Sequence, residues 1–203
     1  MRRSTKHSRM KLTPLNKEFF LRSPEIVAKQ LLGKLLVRKL GSKLLIGKIV
    51  ETEAYFGRED PASRASLGWP RYCVELLYGE VGRALVYMVH GNWLLNVVAH
   101  ETNGAGAVLI RAMEPLVGFS DEVREMKLTS GPGRLSKVLH IDKRFNGMSL
   151  INLKNELLLC HEFQRNQRFK IRASHRIGVS KDLKKKLRFF IDGNEFVSNI
   201  RRY

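Results

Sequence analysis

The sequence predicts one mixed α/β domain, in which helices flank a mostly antiparallel sheet. Three observations support this fold class. Short runs rich in β-branched and apolar residues follow one another with only a few turn residues between them, as in antiparallel hairpins. Helix start and stop signals occur before and after these runs. The 203 residues, of which 43% are hydrophobic, are enough for one sizeable core, and neither a repeat nor a linker divides them.

The domain is expected to occupy residues 12–203, after a basic, flexible arm over residues 1–11. Its first elements are a helix between Ser23 as N-cap and Gly33, and a hairpin of strands at residues 34–40 and 44–55. Residues 57–83 hold many Gly and Pro and are predicted to form a long irregular, functional loop. Later strands are predicted at residues 84–89, 93–99, 107–112, 150–151 and 157–160, helices at 121–127 and 130–140, and a final hairpin at 187–191 and 195–197.

The composition indicates a polyanionic partner. The chain has 37 Lys and Arg against 19 Asp and Glu, which gives a formal net charge of +18. Nucleic acid is the first partner that this balance suggests, and an anionic membrane surface is the second. No run approaches the roughly 20 apolar residues that span a bilayer, and the N-terminus lacks a signal peptide's apolar core, so we expect an intracellular protein. Cys73 and Cys160 predict neither a disulfide framework nor a zinc site.

Two glutamates in the second strand of the first hairpin are the strongest candidates for a site. Side chains alternate along a strand, so Glu51, Glu53 and Tyr55 share one face. Burying unpaired carboxylates is costly, and the spacing alone favours an exposed or edge strand whose glutamates pair with Lys and Arg. Arg111 lies in an apolar run and needs a partner too, either a carboxylate such as Glu51 or Glu114 or a phosphate.

Two further segments suggest contacts with anions. Residues 130–133 are Ser-Gly-Pro-Gly at the start of a predicted helix, where small residues let a phosphate approach free N–H groups. Arg134 and Lys137 add positive charge there, although the motif is weak by itself. The basic run at residues 181–188 is equally compatible with a solvated face.

Six segments of the chain form a recognisable series, namely IVETEAY at 49–55, EDPAS at 59–63, VLIRAMEP at 108–115, SGPGRL at 130–135, RIGV at 176–179 and LRFFI at 187–191. Taken together, these segments resemble the alkyladenine DNA glycosylase family, also called 3-methyladenine DNA glycosylases, enzymes that excise damaged purines. The segments follow the family's order and roughly its spacing, and they cover about residues 12–199. The resemblance implies a strongly curved sheet, double-stranded DNA with a damaged purine as substrate, and hydrolysis by water without a metal, a cofactor or strand cleavage. We expect a monomer, because a search for damage along DNA does not need a dimer.

The resemblance also implies roles for individual residues. Glu53 matches the family's catalytic glutamate, the general base for the water that attacks the sugar C1′, and Arg111 matches the arginine that holds this water and a phosphate. Tyr55 and Tyr87 match aromatic residues that stack on the flipped base, although core packing is the simpler explanation of Tyr87. Asn96 aligns, with one residue fewer before it, with the asparagine that discriminates against normal guanine. Backbone phosphates would be bound by Ser130, Gly131, Arg134, Lys137 and residues 181–188.

Two positions depart from the family. Arg64 stands where the family has a histidine that contacts the flipped base. We expect its charge to repel cationic lesions such as 3-methyladenine and to favour neutral hypoxanthine, unless the side chain meets a phosphate instead. His90 stands where the family has a tyrosine that fills the gap in the duplex, and we expect it to be a smaller wedge. Two other classes stay open, namely a non-catalytic nucleic-acid-binding module with this fold and a basic RNA- or ribosome-associated protein.

Overall fold

The computed structural model describes residues 11–68, 70–163 and 168–198, and these are organised around one strongly curled, eight-stranded antiparallel sheet. The curled antiparallel sheet is the architecture that we expected. The predicted N-terminal arm lies outside the described residues, except for residue 11. The strands are β1 (Leu35–Leu40), β2 (Lys43–Tyr55), β3 (Ala84–Val89), β4 (Asn92–Val98), β5 (Ala107–Val117), β6 (Leu157–Cys160), β7 (Ile171–Ser174) and β8 (Arg188–Ile191).

The 13-residue strand β2 lies at the centre of this sheet. Along one edge it pairs with β5, while along the other edge its first half pairs with β1 and its second half pairs with β8. The pairing of β2 with β5 contains register shifts on both sides of Glu51, and such bulges bend a strand and increase its twist. The glutamates therefore lie in the interior of the sheet, where the strand bends, and the expected exposed or edge strand is wrong.

Short helices cover the sheet. The best defined is α2, whose buried Val27, Ala28 and Leu31 pack on β2, and the hydroxyl of Thr52 donates a hydrogen bond of 2.8 Å to the carbonyl of Ala28. Because Thr52 lies on that face, the opposite face, with Glu51, is left free to form a site. The helices are α1 (Lys17–Phe20), α2 (Pro24–Leu31), α3 (Arg64–Leu67), α4 (Arg71–Leu77), α5 (Asp121–Glu125) and α6 (Pro132–Val138), with a 3₁₀ turn at Lys143–Phe145.

Several predicted boundaries change. The segment expected to be irregular, residues 57–83, contains α3 and α4, although its Trp69 lies outside the described residues. Strand β5 continues beyond residue 112 to Val117, and α6 ends before His140. Residues 150–151 form a turn rather than a strand. None of the described helices has the length and apolar character needed to cross a membrane.

The predicted C-terminal hairpin is wrong in its second strand. Strand β8 is present, but its partners are β2 on one side and β7 on the other. With both edges of β8 occupied, residues 195–197 have no edge to join and instead form turns. The chain then brings Ser198 back to the centre of β2, where its backbone N–H donates a hydrogen bond of 2.7 Å to Glu51 Oε2.

Candidate active site

A pocket of about 600 Å³ opens beside the end of β2. Its other sides are the segment leading into α3, the β3–β4 hairpin, β5, the start of α6 and the loop at residues 177–180. The curl of the sheet therefore brings together side chains that are far apart in the sequence. The predicted site residues that line the pocket are Tyr55, Arg64, Tyr87, His90, Arg111, Ser130, Gly131 and Arg134.

The carboxylate of Glu53 lies directly behind the pocket wall. Its side chain is fully buried. Oε1 accepts a hydrogen bond of 2.8 Å from the backbone N–H of Ile177, and Oε2 accepts one of 2.8 Å from the hydroxyl of Tyr55. The guanidinium Nη1 of Arg111 lies 3.1 Å from Oε2. Tyr55, Arg111 and Ile177 all line the pocket, so every contact of this carboxylate is made by the pocket wall.

Burial and polar contacts act in opposite directions on this carboxyl group. Loss of hydration disfavours its charged form and raises the pKa of Glu53, whereas Arg111, the Ile177 N–H and the Tyr55 hydroxyl each lower that pKa. Burial has the larger effect, so the pKa of Glu53 is raised overall. A buried carboxylate that still carries a charge-stabilising arginine is the kind of group that enzymes use as a base.

Glu51 has different surroundings, although it is only two residues away on the same strand. Its Oε1 accepts hydrogen bonds from Arg111 Nε at 2.8 Å, Arg188 Nε at 2.7 Å and the Ser198 hydroxyl at 2.8 Å. With the Ser198 N–H on Oε2, four donors from three segments converge on one carboxylate. Arg111 thus bridges both glutamates, whereas Glu114, its other predicted partner, pairs with Lys48.

Tyr55 has an arginine packed against its ring. The guanidinium carbon of Arg176 lies 4.5 Å from the ring centroid. Arg176 is itself fully buried and bonded to Asp60 and Asp182. Burial and the nearby Glu53 carboxylate raise the pKa of Tyr55, so its hydroxyl keeps its proton and remains a donor to Glu53. Sequence reasoning quoted the segments that contain Asp60 and Arg176 but assigned them no role. The signal available was Asp182, a possible partner of Arg176 six residues further along the chain.

Tyr87 and Arg64 form a second stacked pair, across the pocket from β2. The guanidinium carbon of Arg64 lies 4.6 Å from the centroid of the Tyr87 ring, and both residues line the pocket. Burial raises the pKa of Tyr87, and Arg64 acts against that rise. A fixed positive charge therefore lies inside the pocket, over an aromatic ring.

Asn96 and His90 occupy very different positions. Asn96 is only 1% exposed, its amide donates to the carbonyl of Leu85 at 3.0 Å, and it is not among the residues that line the pocket. His90 is at the tip of the β3–β4 hairpin with a positive φ of 47°, and the amide of Asn92 donates to its carbonyl at 3.0 Å. The hairpin therefore presents His90 at the pocket mouth, while Asn96 lies behind the wall.

The predicted anion-binding segment lies at the other rim of the pocket. Ser130, Gly131 and Arg134 line the pocket, whereas the exposed Lys137 is further along α6. Because α6 has only seven residues, the charges of these side chains matter more than a helix dipole. The start of α6 packs closely on the hairpin, since a Cβ atom on Gly133 would come within 2.8 Å of Asn92 Cβ. Among the described residues, no cluster of three or more His, Cys, Asp or Glu side chains is arranged to hold a metal ion.

Comparisons with known proteins give this arrangement a family. The family model for methylpurine-DNA glycosylase matches residues 18–195. A protein of Aeropyrum pernix is 44% identical over 187 residues, which are 92% of this chain and 94% of that protein. Proteins of Borreliella afzelii and Koribacter versatilis are 40% identical over 189 residues and 37% identical over 201 residues, covering 91% and 94% of this chain and 99% and 95% of their own. All three carry the provisional name 3-methyladenine DNA glycosylase.

The matched region contains the curled sheet and every residue that lines the pocket except Ser198. The family is one of DNA glycosylases, a class of enzymes that act on the N-glycosyl bonds of DNA. The chain belongs to the methylpurine-DNA glycosylase family. This membership confirms the resemblance that the sequence segments indicated.

Proposed function

We propose that this protein is a monofunctional DNA glycosylase of base excision repair, which flips a damaged purine out of duplex DNA and hydrolyses its N-glycosidic bond. The observation that carries the proposal is the buried Glu53 carboxylate, held by Arg111 and Tyr55 directly behind the wall of a 600 Å³ pocket. A purine cannot be reached inside a duplex, so the nucleotide has to rotate into such a pocket before any chemistry occurs.

In the proposed reaction, Glu53 accepts a proton from a water molecule as the water oxygen bonds to C1′ of the sugar. The bond from C1′ to the purine nitrogen breaks, and its electron pair leaves with the base. Positive charge develops on the sugar ring in this step, and the carboxylate stabilises that charge electrostatically. Because Glu53 has no exposed surface, the water has to enter between Tyr55 and Arg111. No lysine nucleophile is involved, so the DNA strand stays intact.

The two tyrosines would hold the flipped purine. Arg176 packs on the ring of Tyr55 and Arg64 packs on the ring of Tyr87, and both tyrosines line the pocket that would receive the base. Stacking of a base on an aromatic ring is worth about 1–3 kcal/mol. The predicted contact of Asn96 with the base has no support from its buried amide, which is bonded to Leu85. It stays a prediction from the resemblance alone.

The charge of Arg64 would select the lesion. A guanidinium in the pocket repels a purine that carries a positive charge, such as 3-methyladenine, and it donates hydrogen bonds to the acceptors of hypoxanthine. We therefore propose that hypoxanthine is favoured and that neutral ethenoadenine is accepted more readily than cationic methylated purines. The stacked position of Arg64 on Tyr87 supports this assignment over a contact with a DNA phosphate.

The surroundings of the pocket fit duplex DNA. His90 at the hairpin tip would fill the space that the flipped nucleotide leaves, while Ser130, Gly131 and Arg134 at the other rim would contact phosphates. Lys137 and the exposed lysines at 184–186 extend this positive surface, so the basic run has a proposed partner. We propose that the protein acts inside the cell as a monomer bound to DNA.

Single-turnover base release tests the proposal, with duplexes that contain one hypoxanthine or one cationic methylated purine. Glu53→Gln should lower the release rate by about 10³-fold at unchanged DNA affinity, because the amide cannot take a proton. The matched control is Glu125→Gln, the same change on the exposed face of α5, which should release base at the wild-type rate. If the wild type binds DNA tightly but releases neither base, the chain is a binding module that has kept the fold and lost the reaction.

A further inference from the structure

A second group of buried charges lies beside the pocket, and the proposed reaction does not use it. Arg176 donates to Asp60 through Nη1 and Nη2, both at 2.7 Å, and its side chain and that of Asp60 are fully buried. Arg176 also donates to Asp182 Oδ1 through Nε at 2.9 Å and Nη2 at 2.6 Å. Two carboxylates thus share one guanidinium in a place where water does not reach the arginine.

Each carboxylate fixes a separate segment of the chain. Asp60 accepts backbone N–H bonds from Phe56 and Ala62, both at 3.0 Å, which shapes the turn that leads to α3. Asp182 accepts the backbone N–H of Leu183 at 2.8 Å. Arg176 therefore joins the segment before α3 to the segment before the lysine run, on either side of the end of β2.

The position of Arg176 determines two features of the active site. Its Nη1 donates to the carbonyl of Ala54 at 2.9 Å, and its guanidinium packs under the ring of Tyr55, so the end of β2 is held in place. The next residue, Ile177, donates its N–H to Glu53 Oε1 at 2.8 Å. The Arg176 guanidinium orients the ring of Tyr55, which is proposed to stack on the base. The Ile177 N–H orients the carboxylate of Glu53, which is proposed to activate water.

We propose that Arg176, held by Asp60 and Asp182, is a positioning residue that sets the ring of Tyr55 and the Ile177 N–H on Glu53. This inference rests on the proposed function of Glu53. Arg176 itself contacts neither the pocket nor, in the proposed reaction, the base, and it acts through its neighbours. A shift of about 1 Å in a positioned catalytic group can lower a rate 10²-fold, so the effect of losing this support is measurable.

The variant for the test is Asp182→Asn. Replacing Arg176 by an apolar residue would leave two carboxylates without their cation and endanger folding. Asp182 is better suited, because its side chain is 18% exposed and Arg176 keeps Asp60 as a partner. In Asp182→Asn, the new amide meets the backbone N–H of Arg176, a donor that Oδ2 now accepts at 3.3 Å. The backbone at 176–177 should move, and the Ile177 bond to Glu53 should weaken.

The matched control is Asp192→Asn. Asp192 also pairs with an arginine, Arg172, at 2.7 Å, but at the far end of β8 and outside the residues that line the pocket. Both changes remove one carboxylate charge from an ion pair with arginine. A difference between the two variants therefore reports the connection of Asp182 to Glu53 and not the loss of one charge.

The primary measurement is the titration of the Glu53 carboxyl group by NMR in the free protein. The groups that face Glu53 are Arg111 on β5, Tyr55 and Glu51 on β2, Arg188 across from it on β8, and the Ile177 N–H. Asp182→Asn changes none of these groups and weakens the Ile177 N–H bond, a contact that lowers the pKa of Glu53 in the wild type. Any displacement of the Tyr55 hydroxyl through Arg176 acts in the same direction, because its hydrogen bond lowers that pKa too. The pKa of Glu53 should therefore rise in this variant and stay unchanged in Asp192→Asn.

Base release gives the second measurement. With Asp182→Asn, the single-turnover rate at neutral pH should fall about tenfold, and the acidic limb of its pH profile should move to higher pH. An unchanged Glu53 titration in the folded variant would overturn the proposal, whatever happens to the rate. If Asp182→Asn does not fold, the charge-conserving Asp182→Glu takes its place with the same expectations, because its longer side chain displaces the carboxylate from the Arg176 backbone N–H. A wild type without base release would refute the proposed function, while the titration would still decide the role of Arg176.

Discussion

Two glutamates on one strand, separated by a single residue, have opposite surroundings. Glu51 accepts four hydrogen bonds from Arg111, Arg188 and Ser198 and lies in a closed cluster of paired charges. Glu53 shares only Arg111 with it and is otherwise held by Tyr55 and a backbone N–H that belong to the pocket wall. The same residue type is thus satisfied in one position and left with a raised pKa in the other.

The difference distinguishes two parts of the sheet: a cluster of ion pairs that holds segments together, and a pocket in which we propose that the reaction occurs. The closed cluster around Glu51 ties β2, β5, β8 and the C-terminal segment together. The open pocket beside Glu53 holds Arg64, which packs on Tyr87 and forms no ion pair within the part of the chain that the structure describes. Arg111 belongs to both regions, so the cluster around Glu51 orients the arginine that Glu53 needs.

The largest expected difference between the regions is in stability. Glu51→Gln leaves the buried Arg111 and Arg188 without their shared carboxylate, so the free energy of unfolding should fall by about 3 kcal/mol. Glu53→Gln removes a charge that burial disfavours, so the free energy of unfolding at neutral pH should stay the same or rise. Urea unfolding at pH 7 measures both. Equal destabilisation by the two substitutions would contradict the distinction between a closed cluster and an open pocket.

The pH dependence should also separate the regions. Because the pKa of Glu53 is raised in the folded protein, its contribution favours folding at low pH and is lost as the pH rises through that pKa. Base release should have the opposite sign, since it needs the ionised form and should increase with pH over the same interval. Tyr55→Phe keeps the ring but removes a hydrogen bond that lowers the pKa of Glu53. The acidic limb of the pH profile of base release should therefore move to higher pH in this variant.

A pH profile of single-turnover release, from weakly acidic to weakly basic buffer, is the measurement for Tyr55→Phe. Any change in release caused by weaker stacking would lower the whole profile without moving its limb. An unmoved limb would mean that the Tyr55 hydroxyl does not act on Glu53.

Arg64→His should alter the choice of lesion. Removing a permanent charge from the pocket should favour the cationic base. The release rate of the cationic methylated purine relative to that of hypoxanthine is expected to rise about tenfold. Stability should change little, because Arg64 stacks on Tyr87 at an accessible pocket surface. The ratio is measured on the two duplexes under identical conditions, and an unchanged ratio would show that Arg64 does not contact the base.

The smallest effect is expected at the hairpin tip. His90→Tyr supplies a larger apolar side chain to fill the gap in the duplex, so binding to a lesion-containing duplex should tighten a few-fold. The positive φ of His90 has a modest conformational energy cost for any residue with a Cβ atom, and the wild-type histidine already carries this cost. Titration of a fluorescent lesion duplex measures the affinity. Weaker binding by the variant would indicate that the hairpin tip does not enter the duplex.

Local patterns predicted much of the fold. Alternation along β2 placed Glu51, Glu53 and Tyr55 on one face, and the Ser-Pro start and the glycine stop predicted α2, whose bounds are confirmed to within a residue. These features depend on neighbours in the chain, which the sequence displays directly. The short helices α3 and α4 escaped prediction because Gly and Pro interrupt every period around them.

Features that depend on distant partners could not be predicted in this way. The spacing of the glutamates favoured an exposed strand, because no residue close to them in the sequence indicates that Arg111, Arg188 and Ser198 converge on Glu51. The second strand of the C-terminal hairpin was wrong because β7 takes the free edge of β8 first. Arg176 was likewise assigned no role, since Asp60, its buried partner, is 116 residues away in the sequence.

By itself, the sequence indicated the family and the central strand with its two acids, and it suggested the aromatic and basic residues that we propose to contact DNA. These properties reside in residue identity and in spacing over a few positions. Only the tertiary structure decided which glutamate is enclosed and which lies against the pocket, and which arginine supports it. Burial and ion pairing depend on the distance between groups in space, and the curl of the sheet, not the order of the chain, determines that distance.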